Sequence, residues 1–154
     1  MVSVAVLPAV RTIYLPPGQI AMGEGHILTI LGSCVAVCLV DALHHVGGMN
    51  HYMLPRGPRD SESLRFGDVA MRQLLDRLLA AGAVRTALEA KVFGGARILA
   101  SRTAARDLGA ENVEAALGFL GRERIPIVAR DTGGTHSRKL ILQTGDGVAW
   151  LKTF

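Results

Sequence analysis

The chain has 154 residues, of which 49% are hydrophobic and 19% charged, and its formal net charge at pH 7 is +4. This composition excludes a disordered protein and fits one domain with one sizeable core. Aromatic residues make up only 5% of the chain and the basic residues form no dense run, which argues against a nucleic-acid-binding surface.

The predicted secondary structure begins with strands, continues through helices and ends with strands. Clustered or alternating apolar residues bounded by Pro and Gly predict strands at residues 2–6, 11–15, 19–22, 27–31, 34–40, 47–51, 88–93, 127–130, 140–142 and 148–151. Helical spacing of apolar residues predicts helices over 67–81 and 107–123, which Gly82 and Pro126 terminate. Because helices and strands do not alternate regularly, we predict an α+β fold with mainly antiparallel or mixed sheets and two or three helices outside.

The two cysteines and the lengths of the apolar runs indicate the cellular compartment in which the protein works. Cys34 and Cys38 are four residues apart on one predicted strand, roughly 13 Å, which is too far for a disulfide and fits a reducing environment. The longest wholly apolar run, residues 34–40, is far shorter than a membrane-spanning helix, and no secretory signal precedes it. We therefore expect a cytoplasmic protein.

The most informative segment is the strand beginning at Cys34, together with the segment ending at His51. If the chain turns over residues 41–44, an antiparallel hairpin places Cys34 directly opposite His51, with Cβ atoms about 4.5–5.5 Å apart. A neighbouring base activates a thiol, so this spacing predicts a Cys–His hydrolase or transferase. The alternative is structural, because cysteines in apolar strands are commonly small buried hydrophobes.

Residues around this pair add candidate roles. Gly32 and Ser33 can bend the backbone so that successive N–H groups face an oxyanion. Thr29 is a candidate to orient His51 or to place a substrate amide, and it is equally a β-forming residue of its strand. His136 is a weaker alternative base, since its segment is predicted to be a loop.

Metal and phosphate sites are less well supported by the spacing of the candidate residues. Cys34, Cys38, His44, His45 and His51 do not match common zinc patterns, so we expect no metal site. The glycine pairs at 94–95 and 133–134 lack the spacing of a phosphate-binding loop and more commonly permit tight turns.

Several segments occur in an order that is typical of one family. They are residues 31–39 (LGSCVAVCL), 47–51 (GGMNH), 53–55 (MLP), 68–71 (DVAM), 88–96 (LEAKVFGGA), 112–113 (NV) and 131–134 (DTGG). In these segments, from about Tyr14 to the C-terminus, the chain resembles the CheD family of chemoreceptor glutamine deamidases.

The resemblance implies a fold, a reaction and a set of partners. The implied fold is a β-sandwich flanked by helices, similar to the catalytic domains of deamidating toxins, in a single deamidase domain over residues 1–154. The implied site is Cys34 and His51 with Thr29 upstream, which hydrolyses receptor glutamine side chains to glutamate and ammonia through a thioester, without a metal or organic cofactor. Methyl-accepting chemoreceptors are the implied substrates, and a CheC-type phosphatase is an implied partner.

Two other functions share these features. A binding module that docks on receptors or on a phosphatase would keep the fold without needing catalysis. Transglutamination would use the same acyl-enzyme, with an amine in place of water.

Overall fold

The computed structural model describes residues 10–98 and 106–154, so the strand predicted at residues 2–6 lies outside the described chain. The elements in chain order are β1 (Thr12–Tyr14), β2 (Gln19–Met22), β3 (His26–Leu31), β4 (Val35–Asp41), β5 (Val46–His51), α1 (Gly67–Ala80), a 3₁₀ turn (Arg85–Ala87), β6 (Glu89–Gly94), α2 (Leu108–Arg122), β7 (Ile127–Thr132), β8 (Arg138–Gln143) and β9 (Ala149–Thr153).

The strands form two mixed sheets. One has four strands in the order β1-β3-β8-β9, and the other has five in the order β2-β5-β4-β6-β7. Pairing is parallel between β1 and β3 and between β6 and β7, and antiparallel elsewhere in the two sheets. The predicted α+β class with mixed sheets is therefore confirmed.

The five-stranded sheet is the middle of three layers. Every residue of its central strand β4 is buried, which requires cover on both faces. One face of β4 packs in a cluster with α1 and α2, through Val35, Val37 and Leu39. The other face carries Ala36 and Cys38 into a second cluster with residues of the four-stranded sheet. Polar groups buried between the two sheets are thus shielded from bulk water.

Both predicted helices form, with ends close to the expected residues. After α1 the chain passes through Gly82, whose φ of +108° is a conformation that favours glycine. At the other helix, the Asp107 carboxylate accepts the Ala110 N–H at 3.0 Å and caps the first turn of α2. Within residues 10–98 and 106–154, no helix has both the length and the apolar character needed to cross a bilayer.

The register predicted for the β4–β5 hairpin is wrong by two residues. The ladder pairs Asp41 with Val46, leaving four turn residues, and the same register continues to a bridge between Val35 and Tyr52. Asp41 stays in the strand because its buried carboxylate accepts the N–H groups of His44 and Val84. Ala36, and not Cys34, consequently lies opposite His51.

Candidate active site

Cys34 and His51 lie on the same face of the five-stranded sheet despite the register error. A shift of two residues preserves the face, so Cys34 becomes a diagonal neighbour of His51 across the hairpin. Cys34 is half-buried and packs against the cluster between the sheets, whereas His51 is only 1% exposed. Among the hydrogen bonds of the described residues, none joins the Cys34 thiol to the His51 ring. In catalytic sites without substrate, such hydrogen bonds are commonly long or absent.

Thr29 connects His51 to the opposite sheet. Its Oγ1 lies 2.7 Å from His51 Nδ1 and 2.8 Å from the Leu15 carbonyl oxygen. A hydroxyl has one proton, and the carbonyl can only accept, so Thr29 donates to Leu15 and accepts from His51 Nδ1–H. This arrangement fixes the neutral tautomer in which His51 Nε2 carries no proton and is free to act as a base.

Burial keeps both titratable groups of the site uncharged near neutral pH. It lowers the pKa of His51 from 6.5 to about 4, because the imidazolium is poorly solvated between the sheets. Burial also raises the pKa of the Cys34 thiol, an effect that the residue's own backbone N–H partly offsets. The site therefore pairs a neutral thiol with a neutral imidazole. The thiol proton must move to His51 as the sulfur attacks the substrate.

A glycine pair lets the end of β6 pack tightly against Cys34. Gly94 has a φ of +109°, and a Cβ there would lie 2.3 Å from the Cys34 carbonyl oxygen. The next residue, Gly95, donates its N–H to that oxygen at 2.9 Å, and Ala96 donates to Gly32 O at 3.0 Å. The segment carrying the thiol is thus fixed to β6 on one side by backbone hydrogen bonds.

A side chain replaces a ladder hydrogen bond beside His51. Asn50 Oδ1 accepts the Val37 N–H at 2.9 Å, at the position where β4 and β5 would otherwise pair through their backbones. Asn50 is fully buried, and its Nδ2 has no hydrogen-bond partner among the described residues.

Asn112 is a site neighbour whose role the sequence did not reveal. Its Nδ2 donates to Ser33 O and to Met53 O, both at 3.0 Å, and its backbone carbonyl accepts from the Tyr52 hydroxyl. The side chain is fully buried on α2, one turn before Ala116 in the apolar stripe. The sequence carried two signals for this residue: a polar side chain inside an apolar helical stripe, and its place in the segment at 112–113 that is typical of the family.

The other candidate residues lie apart from this arrangement. His136 is exposed between β7 and β8. His44 and His45 are exposed in the β4–β5 turn, and His44 Nδ1 lies 2.7 Å from Asp41 Oδ2. Within the described residues, no group of three or more His, Cys, Asp or Glu side chains is arranged to hold a metal ion.

Comparison with known proteins identifies relatives along most of the chain. The sequence model of the family described as CheD chemotactic sensory transduction matches residues 53–153. A probable chemoreceptor glutamine deamidase CheD 1 of Anaeromyxobacter dehalogenans is 50% identical over 142 residues, covering 91% of this chain and 83% of the relative. A probable chemoreceptor glutamine deamidase CheD of Trichlorobacter lovleyi is 45% identical over 145 residues, covering 92% and 90%. The corresponding protein of Rhodospirillum rubrum is 40% identical over 142 residues, covering 91% and 81%. The chain therefore belongs to the CheD family.

Proposed function

We propose that this protein is a glutamine deamidase of chemoreceptors, with Cys34 as nucleophile and His51 as general base and acid. The observation that carries the proposal is a half-buried thiol diagonal to His51 across the hairpin, together with the Thr29 hydrogen bond that leaves His51 Nε2 unprotonated. Relatives that are 40–50% identical over about nine-tenths of the chain are described as probable chemoreceptor glutamine deamidases, which supports the reaction and the substrate class.

The first half of the reaction forms a thioester. Cys34 Sγ attacks the carbon of the glutamine side-chain amide while its proton moves to His51 Nε2. The resulting oxyanion is held by backbone N–H groups at Ser33 and Cys34. The carbon–nitrogen bond then breaks, and His51 returns the proton to the leaving nitrogen, which departs as ammonia.

The second half releases glutamate. His51 Nε2 accepts a proton from water as the water oxygen attacks the thioester carbon. The carbon–sulfur bond breaks and the proton returns to the thiol. The net reaction consumes one water molecule and gives glutamic acid and ammonia. At neutral pH the acid transfers its proton to ammonia, so a neutral glutamine becomes a carboxylate and an ammonium ion is released. Thr29 acts as a positioning residue, because it holds the ring in the tautomer that both steps require.

The proposed enzyme also has a location and partners. We place it in the cytoplasm as a single deamidase domain, with methyl-accepting chemoreceptors as substrates and a CheC-type phosphatase as a further partner. The four-stranded sheet supplies Thr29 and the five-stranded sheet supplies His51, so the site requires both halves of the sandwich.

The test is incubation of the protein with a cytoplasmic receptor fragment, followed by mass spectrometry. We expect a gain of about one dalton per modified glutamine, with release of ammonia, and no change with Cys34→Ala. An added primary amine that became attached to the glutamine would reveal transglutamination by the same thioester. Absence of any shift with folded protein and a cognate receptor would favour a docking module.

A further inference from the structure

Asn112 joins the two segments that carry the reacting groups. Ser33 immediately precedes Cys34, and Met53 follows His51 by two residues; the two protons of the Asn112 amide are each donated to one of these carbonyls. This pairing also fixes the orientation of the amide, because a flipped Asn112 would direct its oxygen at two carbonyl oxygens. Both donors of the side chain are thus committed to the backbone of the site.

The hydrogen bond to Ser33 determines where the Cys34 N–H points. The Ser33 carbonyl and the Cys34 N–H belong to one peptide group, and in a planar trans peptide they point in opposite directions. Because Asn112 holds the carbonyl toward α2, the N–H must point away from α2. Within the described residues no other residue accepts from this N–H, so it is available to a ligand.

The Cys34 side chain lies on the same side as its N–H. The thiol packs against the cluster between the two sheets, on the face of β4 opposite to the helices. A carbonyl attacked by Sγ would therefore develop its negative charge within reach of a donor that already faces it. The donor needs no reorientation during the reaction, provided that the Ser33–Cys34 peptide cannot rotate.

We propose that Asn112 is a positioning residue of the active site, which holds the Ser33 carbonyl so that the Cys34 N–H faces the developing oxyanion. The inference rests on the proposed role of Cys34 as the nucleophile. Asn112 does not touch the substrate, and it acts through the peptide group between Ser33 and Cys34.

Two variants and two rates test this role. Asn112→Leu keeps the approximate shape and removes both donors, and Asn112→Ala removes them together with the side-chain volume. In both we expect kcat for receptor glutamine to fall about tenfold or more, with KM within about threefold. Alkylation of Cys34 by iodoacetamide forms no oxyanion, so we expect its rate to change less than about threefold.

A matched variant separates this effect from lost stability. Leu120→Ala removes a fully buried side chain from the same helix, about 12 Å further along its axis, and should lower the melting temperature without changing kcat per folded molecule. The proposal is overturned if kcat of a folded Asn112 variant stays within threefold of the unmodified protein, or if alkylation slows as much as turnover. It is also overturned if neither variant folds, because the amide would then serve the fold as a whole. Failure of the unmodified protein to turn over would instead reject the proposed function.

Discussion

The two ends of the β4–β5 hairpin each carry a histidine whose Nδ1 lies 2.7 Å from an oxygen. At the turn, His44 is paired with the carboxylate of Asp41, and its side chain is 48% exposed. At the open end, His51 is paired with the hydroxyl of Thr29 and is almost fully buried. The two contacts are the same length, but they differ in the charge of the partner and in access to water.

These differences give the two histidines different chemistry. The Asp41 carboxylate has lone pairs that also accept backbone N–H groups, whereas the Thr29 hydroxyl, whose proton is committed to Leu15, can only accept the Nδ1 proton. Burial lowers the pKa of His51 to about 4. The pair at the turn thus stabilises a loop, while the pair at the open end preserves an unprotonated Nε2 at neutral pH.

The largest expected effect is the loss of turnover when His51 is removed. His51→Ala should lower kcat on a receptor fragment about 10³-fold, because both proton transfers lose their carrier. His44→Ala is the matched control, since it deletes a histidine from the other end of the same hairpin, and its kcat should stay within about twofold. A loss below tenfold for His51→Ala would contradict the proposed role.

The next effect is a dependence of stability on pH that belongs to His51. Between the unfolded pKa of 6.5 and the folded pKa of about 4, the unfolded state binds a proton that the native state does not. The free energy of unfolding should therefore fall by about 3 kcal/mol as the pH is lowered from 6.5 to 4. Denaturant titrations of the unmodified protein and of His51→Gln measure this, and the variant should lack that part of the slope. Equal slopes would show that His51 titrates normally in the folded protein.

A smaller loss of activity is expected from changing Thr29. Thr29→Val preserves the shape and deletes the hydroxyl, so His51 is no longer held in one tautomer, and kcat should fall on the order of tenfold to a hundredfold. Thr29→Ser keeps the hydroxyl and should retain most of the activity. If valine and serine behave alike, the hydroxyl is not what positions the ring.

The smallest expected effect is at the turn. Burial would raise the pKa of Asp41, but the N–H groups of Val84 and His44 and the His44 ring outweigh it, and this pKa lies below its usual value. Asp41→Asn should therefore cost about 1 kcal/mol of stability at pH 7, measured by chemical unfolding, without changing kcat per folded molecule. A change in kcat would mean that the two ends of the hairpin are coupled.

The helices and most strands could be predicted because their signals are local. The apolar stripe that predicts α1 and the glycine that follows it are both readable within one short segment. The predicted hairpin register was wrong, because the true one depends on a contact that is distant in the sequence. The buried Asp41 carboxylate accepts the N–H of Val84, more than 40 residues away along the chain. A two-residue error left Cys34 and His51 on one face, because side chains alternate with a period of two.

The sequence by itself determined the class of fold, the family resemblance and the candidate residues Cys34, His51 and Thr29, through alternation, turn residues and short motifs. Only the tertiary structure decided that Thr29 reaches His51 from the other sheet, and that Asn112 of α2 holds the backbone on either side of the pair. The physical reason is that these contacts join residues 20 to 80 positions apart. Their geometry is set by how two sheets and a helix pack, which local periodicity does not encode.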